Sequence, residues 1–160
     1  MGSKVNDFNL QAGGQDGPFD HTKLITAQAH VKETPMSSKV NEALMHEIHD
    51  AFNARDVDRI ADLFAEDGIF ATARGPHPYG ERYQGKKAIK DFLAWRYSKI
   101  DDMKWEHKYR YTAGNRAVSY WVVQGKYKDG RELNLNGCDL YDFNDDGKIV
   151  YKDTFWKAIE

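Results

Sequence analysis

The sequence is poor in cysteine, with Cys138 as the only one among its 160 residues. A single cysteine excludes an intramolecular disulfide and a zinc site built from several thiolates. Cys138 lies next to Asp139 on a predicted strand, and neighbouring side chains on a strand point to opposite faces. We therefore interpret it as a small, buried apolar residue, in a protein that works in a reducing compartment.

The sequence also lacks a long apolar run and an excess of charge. No stretch approaches the roughly 20 apolar residues of a membrane-spanning helix, and the first residues contain no apolar core of a secretion signal. The formal net charge of -2 gives no general attraction to nucleic acid or to an anionic membrane. We expect a cytoplasmic protein that binds neither nucleic acid nor membrane.

Periodicity is absent from the beginning of the chain. Residues 1–37 contain turn-forming glycine, proline and aspartate without a repeating apolar pattern. We expect this segment to be a partly flexible extension. Residues 38–160 are enough for one domain with a hydrophobic core.

Three stretches have the apolar spacing and boundary residues of helices. Ser37 or Ser38 is expected to cap the first, Asp56 begins the second, and Gly85 precedes the third at residues 86–99. The first helix also contains His46 and His49. Two histidines supply too few ligands for a metal site, so we interpret them as part of a solvated face.

The rest of the sequence alternates between apolar and polar residues, which predicts strands joined by tight turns. Two-residue turns at Gly114-Asn115 and Asp129-Gly130 would place Tyr109, Tyr120 and Asp139 in one row across the sheet. A three-residue turn at 145–147 would add Asp153 to that row, and His107 would lie in the next one.

Asp139 is the residue that fits its predicted position least well. It alternates with Leu133, Leu135, Tyr141 and Phe143, so it shares their core face. A buried carboxylate needs a partner or a proton.

Two interpretations of Asp139 follow. Beside Asp153, one of the two carboxyl groups would keep its proton and could act as an acid or base. Tyr120 would be the hydrogen-bond partner of Asp139, and His107 a second candidate base. The alternative is a buried polar network that only satisfies itself.

The turn after the fifth predicted strand resembles a calcium loop. Asp142, Asn144, Asp146, Gly147 and Asp153 follow the spacing of an EF-hand, except that its last position is normally glutamate. An EF-hand needs flanking helices, whereas these flanks alternate as strands do. A hairpin turn explains the same residues, and we expect no metal and no cofactor.

Three motifs resemble those of the SnoaL-like, nuclear transport factor 2-like family. They are residues 52–56 with 63–68, residues 83–89 at the start of the third helix, and residues 143–149 at the last turn. The resemblance covers roughly residues 40–156. It implies an α+β cone, in which three helices pack on a strongly curved, mixed but mostly antiparallel sheet (cystatin-like).

Within that family, ketosteroid isomerase is the most informative relative. Its resemblance places Asp139 on the protonated oxyanion-hole aspartate and Trp156 on a pocket tryptophan. Ile48 and Thr72 replace the family's oxyanion tyrosine and general-base aspartate, which argues against steroid isomerisation. In a comparison with limonene epoxide hydrolase, Gly137 replaces an orienting arginine.

The same resemblance implies that the side chains of Thr154 and Trp156 point toward the cavity. Asp153 would then point outward, contrary to the simple count of residues.

The family contains isomerases, dehydratases, cyclases, epoxide hydrolases and non-enzymes, so the fold alone does not give the activity. We expect acid–base chemistry on a small hydrophobic cyclic compound, with Asp139, His107 and Tyr120 as catalytic residues. The expected pocket wall consists of Tyr109, Trp105, Trp156, Thr154, Val122, Thr72 and His77. The alternative is a non-catalytic ligand-binding or dimerisation module.

A homodimer is expected from the outer face of the sheet. Its apolar members would be Trp121, Val123, Cys138 and Leu140. Apolar residues on both faces of a sheet indicate that both faces are covered.

Overall fold

A computed structural model describes residues 39–157. The expected extension at residues 1–37 lies outside this range. The elements are α1 (Glu42–Ala54), α2 (Val57–Leu63), β1 (Phe64–Ala71), β2 (Arg82–Gln84), α3 (Lys86–Lys99), β3 (Ile100–Ala113), β4 (Arg116–Tyr127), β5 (Glu132–Phe143) and β6 (Ile149–Trp156). Of these, the short strand β2 was not predicted from the sequence.

The six strands form one sheet in the order β2-β1-β6-β5-β4-β3. Strands β1 and β6 pair in parallel, and all other neighbours are antiparallel. The predicted fold class is confirmed, since three helices pack on a curved, mixed and mostly antiparallel sheet. In the described part of the chain, no helix is both long and apolar enough to cross a membrane.

Asn41 begins the first helix, because its side chain accepts a hydrogen bond from the backbone N–H of Leu44 at 3.0 Å. The predicted cap at Ser37 or Ser38 was therefore wrong, and those two serines lie outside the described residues. The predicted start of α2 is confirmed, since the Asp56 side chain accepts from the Arg59 N–H at 3.0 Å.

The β4–β5 hairpin differs from the prediction by one residue. The Tyr127 N–H donates to the Arg131 carbonyl, so the loop consists of the three residues between them. Gly130 takes up the positive φ of +90° that this loop requires. The register shifts accordingly, and Ser119 rather than Tyr120 lies opposite Asp139.

A second irregularity lies in β3, where a bulge at Lys108 interrupts the pairing with β4. His107 pairs with Trp121, but Tyr109 pairs with Tyr120. The bulge turns Tyr109 to the outer face of the sheet, because one inserted residue reverses the alternation.

Two apolar clusters fill the interior. The larger lies between the helices and the sheet and includes Met45, Ile48, Phe52, Phe64, Phe70, Ile89, Leu93 and Ile149. The smaller consists of Ile100, Met103, Trp121, Val123 and Leu133. Trp121 and Val123 are thus core residues, and their expected place on the outer face was wrong because of the shifted β4 register.

Candidate functional site

A small cavity lies where the two apolar clusters meet. Its volume is about 40 Å³. Its lining residues are His49, Phe52, Phe70, Thr72, Ala73, Leu93, Arg96, Trp105, His107, Trp121, Asp139, Tyr141, Lys152, Thr154 and Trp156. We call it the inner cavity. Its size suits a carbonyl group or a few waters rather than a ring.

A larger pocket, with a volume of about 380 Å³, adjoins it. We call it the outer pocket. Thr72, Arg96 and Trp156 line both spaces and so lie at their junction. A ligand can therefore place one end in the inner cavity and its body in the outer pocket.

Asp139 is buried in the inner cavity and accepts four hydrogen bonds. Its Oδ1 accepts from Lys152 Nζ at 2.7 Å and from Thr154 Oγ1 at 2.8 Å. Its Oδ2 accepts from Trp121 Nε1 at 3.0 Å and from Tyr141 Oη at 3.2 Å. In all four bonds the Asp139 oxygens accept, from an ammonium, two hydroxyl groups and an indole N–H.

Lys152 is the cationic partner of that carboxylate, and it is 3% exposed. Its ammonium also donates to Thr154 Oγ1 at 2.7 Å and lies 4.3 Å from the centroid of the Phe70 ring. Burial lowers the pKa of Lys152, and the attraction of Asp139 opposes that shift. Lys152 was not among the predicted site residues.

The pairing of β5 with β6 explains how Lys152 enters the cavity. Asp139 lies opposite Thr154, and Gly137 lies opposite Trp156. Residues 152, 154 and 156 therefore share the inner face, as side chains repeat every second residue. The inward turn of Thr154 and Trp156 is as the resemblance implied, and Asp153 lies opposite Leu140 on the outer face.

A chain of hydrogen bonds links residues of β3, α1 and β4 and ends at His107, which lines the inner cavity. Arg110 Nη1 lies 3.2 Å from His49 Nδ1, and His49 Nε2 lies 3.2 Å from Ser119 Oγ. Ser119 Oγ in turn lies 2.9 Å from His107 Nδ1. The two imidazole rings stack with their centroids 3.2 Å apart. We call these four residues the relay.

The chemistry of the donors assigns the protons of the relay. A guanidinium only donates, so His49 Nδ1 accepts from Arg110 and His49 Nε2 carries its proton. That proton goes to Ser119 Oγ, and the buried Ser119 hydroxyl then donates to His107 Nδ1. The proton of a neutral His107 is consequently on Nε2.

Both histidines are neutral at pH 7. Burial lowers the pKa of His49 to about 2, with the neighbouring His107 and Arg110 adding to the shift. Burial also lowers the pKa of His107 to about 4, although Asp139 opposes it. His107 Nε2 is buried and has no hydrogen-bond partner within residues 39–157. It is the ring nitrogen of His107 available to a ligand.

Six of the predicted site residues line the inner cavity. They are Asp139, His107, Trp105, Trp156, Thr154 and Thr72. The Thr72 hydroxyl is already bonded to the backbone, since it donates to the Arg74 carbonyl at 2.5 Å. It therefore shapes the junction without offering a free proton.

The other four predicted site residues lie elsewhere. Tyr120 and Val122 point to the outer face because of the three-residue β4–β5 loop. Tyr109 lies on the outer face because of the bulge at Lys108, and its ring stacks on Tyr120 with 5.8 Å between centroids. His77 is on an exposed loop, where it stacks on Tyr79 and does not line the inner cavity.

His49 was expected on a solvated face, yet it is 3% exposed. Its position four residues after Met45 and three before Phe52 was the available signal, because both belong to the buried stripe of α1. His46 is exposed, as expected. Arg96 of α3 lines the inner cavity, whereas the neighbouring Trp95 is 60% exposed.

The turn that resembles a calcium loop is a β-hairpin. Strands flank it on both sides, and Asn144 Oδ1 accepts from the backbone N–H groups of Asp146 and Lys148 at 3.0 and 2.9 Å. The side chain that would ligate calcium thus closes the turn. Among residues 39–157, no group of three or more histidine, cysteine or acidic side chains is placed to hold a metal.

Comparison with known proteins identifies the family. The sequence model of the SnoaL-like domain family matches residues 45–152, so the chain belongs to the SnoaL-like family. No curated protein matches the sequence.

Many solved structures share the fold. A ketosteroid isomerase-like protein from Catenulispora acidiphila, in complex with trimethylamine, has a TM-score of 0.64 at 17% identity, covering 72% of this chain and 85% of its own. A nuclear transport factor 2-like protein of unknown function from Burkholderia pseudomallei has 0.64 at 20%, covering 72% and 88%. SalBIII, an epoxide hydrolase/cyclase-like enzyme in pyran ring formation, has 0.61 at 16%, covering 72% and 88%. These identities establish the fold alone.

Proposed function

We propose that this protein catalyses proton transfer next to the carbonyl group of a small cyclic organic molecule, without a cofactor. Lys152 would be the acid–base group and His107 the hydrogen-bond donor to the carbonyl oxygen. The observation that carries the proposal is the meeting of the buried Lys152 ammonium and the unpartnered His107 Nε2 at one inner cavity.

The first step is removal of a proton from the carbon beside the carbonyl. The neutral amine of Lys152 takes that proton, the C–H electron pair moves into a C=C bond, and the carbonyl oxygen gains negative charge. His107 Nε2–H would donate to that oxygen, as a neutral imidazole can stabilise an enolate. The new ammonium of Lys152 is stabilised by Asp139 at 2.7 Å.

The second step decides the product. Return of the proton from Lys152 to a different carbon gives an isomer. Loss of a hydroxyl group from the β carbon, with that same proton, gives water and an unsaturated product. Attack of the enolate carbon on a second carbonyl of the same molecule, with the proton then passing to the new alkoxide, closes a ring. Isomerisation, dehydration and cyclisation thus need the same two residues.

The lowered pKa of Lys152 supports its role as a base. A lysine at its ordinary pKa holds very little neutral amine at pH 7, and burial increases that fraction. Asp139 would position Lys152 and stabilise its charge, so its role is to act through Lys152. SalBIII, with the same fold, is epoxide hydrolase/cyclase-like, which supports an organic cyclic substrate for this chain.

Hydrogen–deuterium exchange tests the proposal. Cyclohexanone and 2-cyclohexenone would be incubated in D₂O with the protein, and loss of the α-proton signals followed by NMR. The wild type should accelerate exchange, and Lys152→Met should remove the acceleration. Lys128→Met is the matched control, because Lys128 is exposed. No acceleration by the wild type, or equal acceleration by Lys152→Met, contradicts the proposal.

A non-catalytic binding module of the same fold is the second candidate. It is favoured by the complete satisfaction of Asp139 by side chains of its own chain, as in a self-contained structural network. This candidate expects saturable ligand binding without any exchange. The exchange measurement therefore separates the two.

We also propose that the outer face of the sheet is covered by a second copy of the chain. Its exposed apolar residues are Tyr109, Tyr111, Val118, Leu140 and Phe155, with exposed fractions of 60, 69, 37, 42 and 49%. Adjacent strands β3 to β6 carry them, so they form one surface.

The lone Cys138 fits a cytoplasmic location, and no nucleic acid or membrane partner is proposed.

A further inference from the structure

Arg96 is the one charged group of the inner cavity that the proposed chemistry does not use. It lies in the last turn of α3, half-buried, and it lines both the inner cavity and the outer pocket. Its neighbour Trp95 is 60% exposed and lines the outer pocket but not the inner cavity. The helix therefore directs a guanidinium, rather than an indole, at the junction of the two spaces.

Arg96 forms no ion pair and no side-chain hydrogen bond within the described residues. Its guanidinium carbon lies over the ring of Trp156, 6.0 Å from the centroid. Lys152, which is buried, is paired with Asp139 at 2.7 Å. Removing an unpaired cation from water costs free energy, and an anionic ligand offsets that cost.

The surroundings of Arg96 favour an anion. The outer pocket is lined by the basic residues Arg74, Arg96 and Lys99, against the single acid Glu81. Arg74 also contacts Trp156, with its guanidinium 5.5 Å from the ring centroid. Arg96 lies near the Lys152–Asp139 pair: its positive charge contributes to the lowered pKa of Lys152, while burial lowers the pKa of Arg96 itself and Asp139 only partly opposes that shift.

We infer that the substrate carries a carboxylate, which Arg96 binds at the junction while the reacting carbonyl enters the inner cavity. The guanidinium is suited to this because it presents two parallel N–H groups to a planar carboxylate. The inference takes the position of the reacting group from the proposed function. The substrate class is then a carbonyl-bearing carboxylic acid with an apolar ring.

The sizes of the two spaces support this orientation. The inner cavity offers about 40 Å³, which admits a carbonyl group but not a ring. The outer pocket offers about 380 Å³ and contains apolar walls from Tyr83, Phe92 and Leu135. The ring would lie in the outer pocket, and the carboxylate between ring and carbonyl would meet Arg96.

Calorimetric titration with a matched pair of unreactive probes tests the inference. The probes are 3-phenylpropanoate and 3-phenylpropanamide, which have the same shape and differ in charge. The wild type should bind the acid more tightly by about 10-fold or more, as one charge-assisted pair provides. In Arg96→Gln the ratio of the affinity for the acid to the affinity for the amide should fall close to one, while the affinity for the amide itself stays unchanged.

Two further variants control for charge and for folding. Lys99→Gln removes the same charge from the same helix and pocket wall, and it should keep most of the preference. Arg96→Lys keeps the charge but loses the paired N–H groups, so its preference should fall between wild type and Arg96→Gln. Thermal unfolding of each variant establishes that it is folded.

The inference is overturned if the wild type binds both probes equally or binds neither. It is also overturned if the preference survives Arg96→Gln, or if Lys99→Gln removes it equally. This experiment measures binding and not proton transfer. An anion preference that depends on Arg96, without any deuterium exchange, would leave the carboxylate site standing and reject the catalytic role of Lys152.

Discussion

The Nζ atom of Lys152 lies 2.7 Å from Oδ1 of Asp139, with the two side chains 4% and 8% exposed. Their strands are neighbours, and Thr154 bridges the pair by accepting from Lys152 and donating to Asp139. A buried ion pair of this kind stabilises a fold only when both partners are present. It is the feature on which stability and the proposed chemistry both depend.

Removing one partner should be costly. Lys152→Met leaves the Asp139 carboxylate buried without its cation, and we expect a loss of about 3–5 kcal/mol in the free energy of unfolding. The double variant Lys152→Met with Asp139→Asn should lose less than the sum of the two single variants, because it leaves no unpaired charge. Urea unfolding followed by circular dichroism measures all three, and Lys128→Met should change stability by less than about 0.5 kcal/mol. Additive losses would contradict a coupled pair.

Stability should fall as the pH drops below about 6.5. His49 and His107 have pKa values lowered to about 2 and about 4 in the folded protein, whereas an unfolded histidine takes up its proton near the ordinary value of 6.5. The unfolded chain therefore holds more protons between these values, and each histidine contributes up to about 1.4 kcal/mol per pH unit.

Unfolding free energies at pH 7.0, 6.0 and 5.0 check this slope. The window lies above the titration of most carboxyl groups, so the histidines dominate it. His49→Gln should reduce the slope, and His77→Gln, on an exposed loop away from both buried rings, is the control. A flat profile in the wild type would show that the two buried rings titrate normally.

The relay makes a prediction about a single proton. Ser119 receives the His49 Nε2 proton and donates to His107 Nδ1, which places the His107 proton on Nε2. Imidazole ¹⁵N chemical shifts at pH 7 should show this tautomer in the wild type. In Ser119→Ala the donor to Nδ1 is absent, so the Nδ1–H form should become populated. A wild-type spectrum with the proton on Nδ1 would refute the assignment.

The outer face of the sheet predicts an oligomeric state. Sedimentation velocity should show a dimer for the wild type, and Leu140→Arg should dissociate it by placing a charge in the middle of the apolar surface. Trp95→Arg is the control, because Trp95 is an exposed apolar residue like Leu140 but belongs to α3. A wild-type monomer, or a dimer that persists in Leu140→Arg, would argue against the proposed interface.

Several features could be predicted from the sequence because they depend on local spacing. The alternation of β5 placed Asp139 on the core face, and its burial beside Tyr141 follows. The turn at Gly114-Asn115 correctly paired Ala113 with Arg116. Gly85 correctly marked the start of α3. Each of these depends on residues that are close in the chain.

The neighbours of Asp139 could not be predicted in the same way, because they depend on the sum of small shifts. One extra residue in the β4–β5 loop replaced Tyr120 with Ser119, and the bulge at Lys108 moved Tyr109 outward. Alternation alone does not determine the length of a loop or the place of a bulge.

Lys152 shows a different limit of sequence reasoning. It shares its strand face with Thr154 and Trp156, which the family resemblance predicted to point inward. Alternation along the strand therefore also predicted an inward side chain for Lys152. Its charge argued for solvent, and only the carboxylate on the adjacent strand explains its burial. Pairing between strands is a tertiary fact that one strand's sequence does not contain.

The pH dependence of α-proton exchange tests the central claim most directly. The rate with cyclohexanone should rise with pH as Lys152 loses its proton, with a midpoint below the ordinary lysine pKa of 10.5. Lys152→Met should lack this rise, while Lys128→Met should keep it. A profile that is unchanged in Lys152→Met would contradict the assignment of Lys152 as the catalytic base.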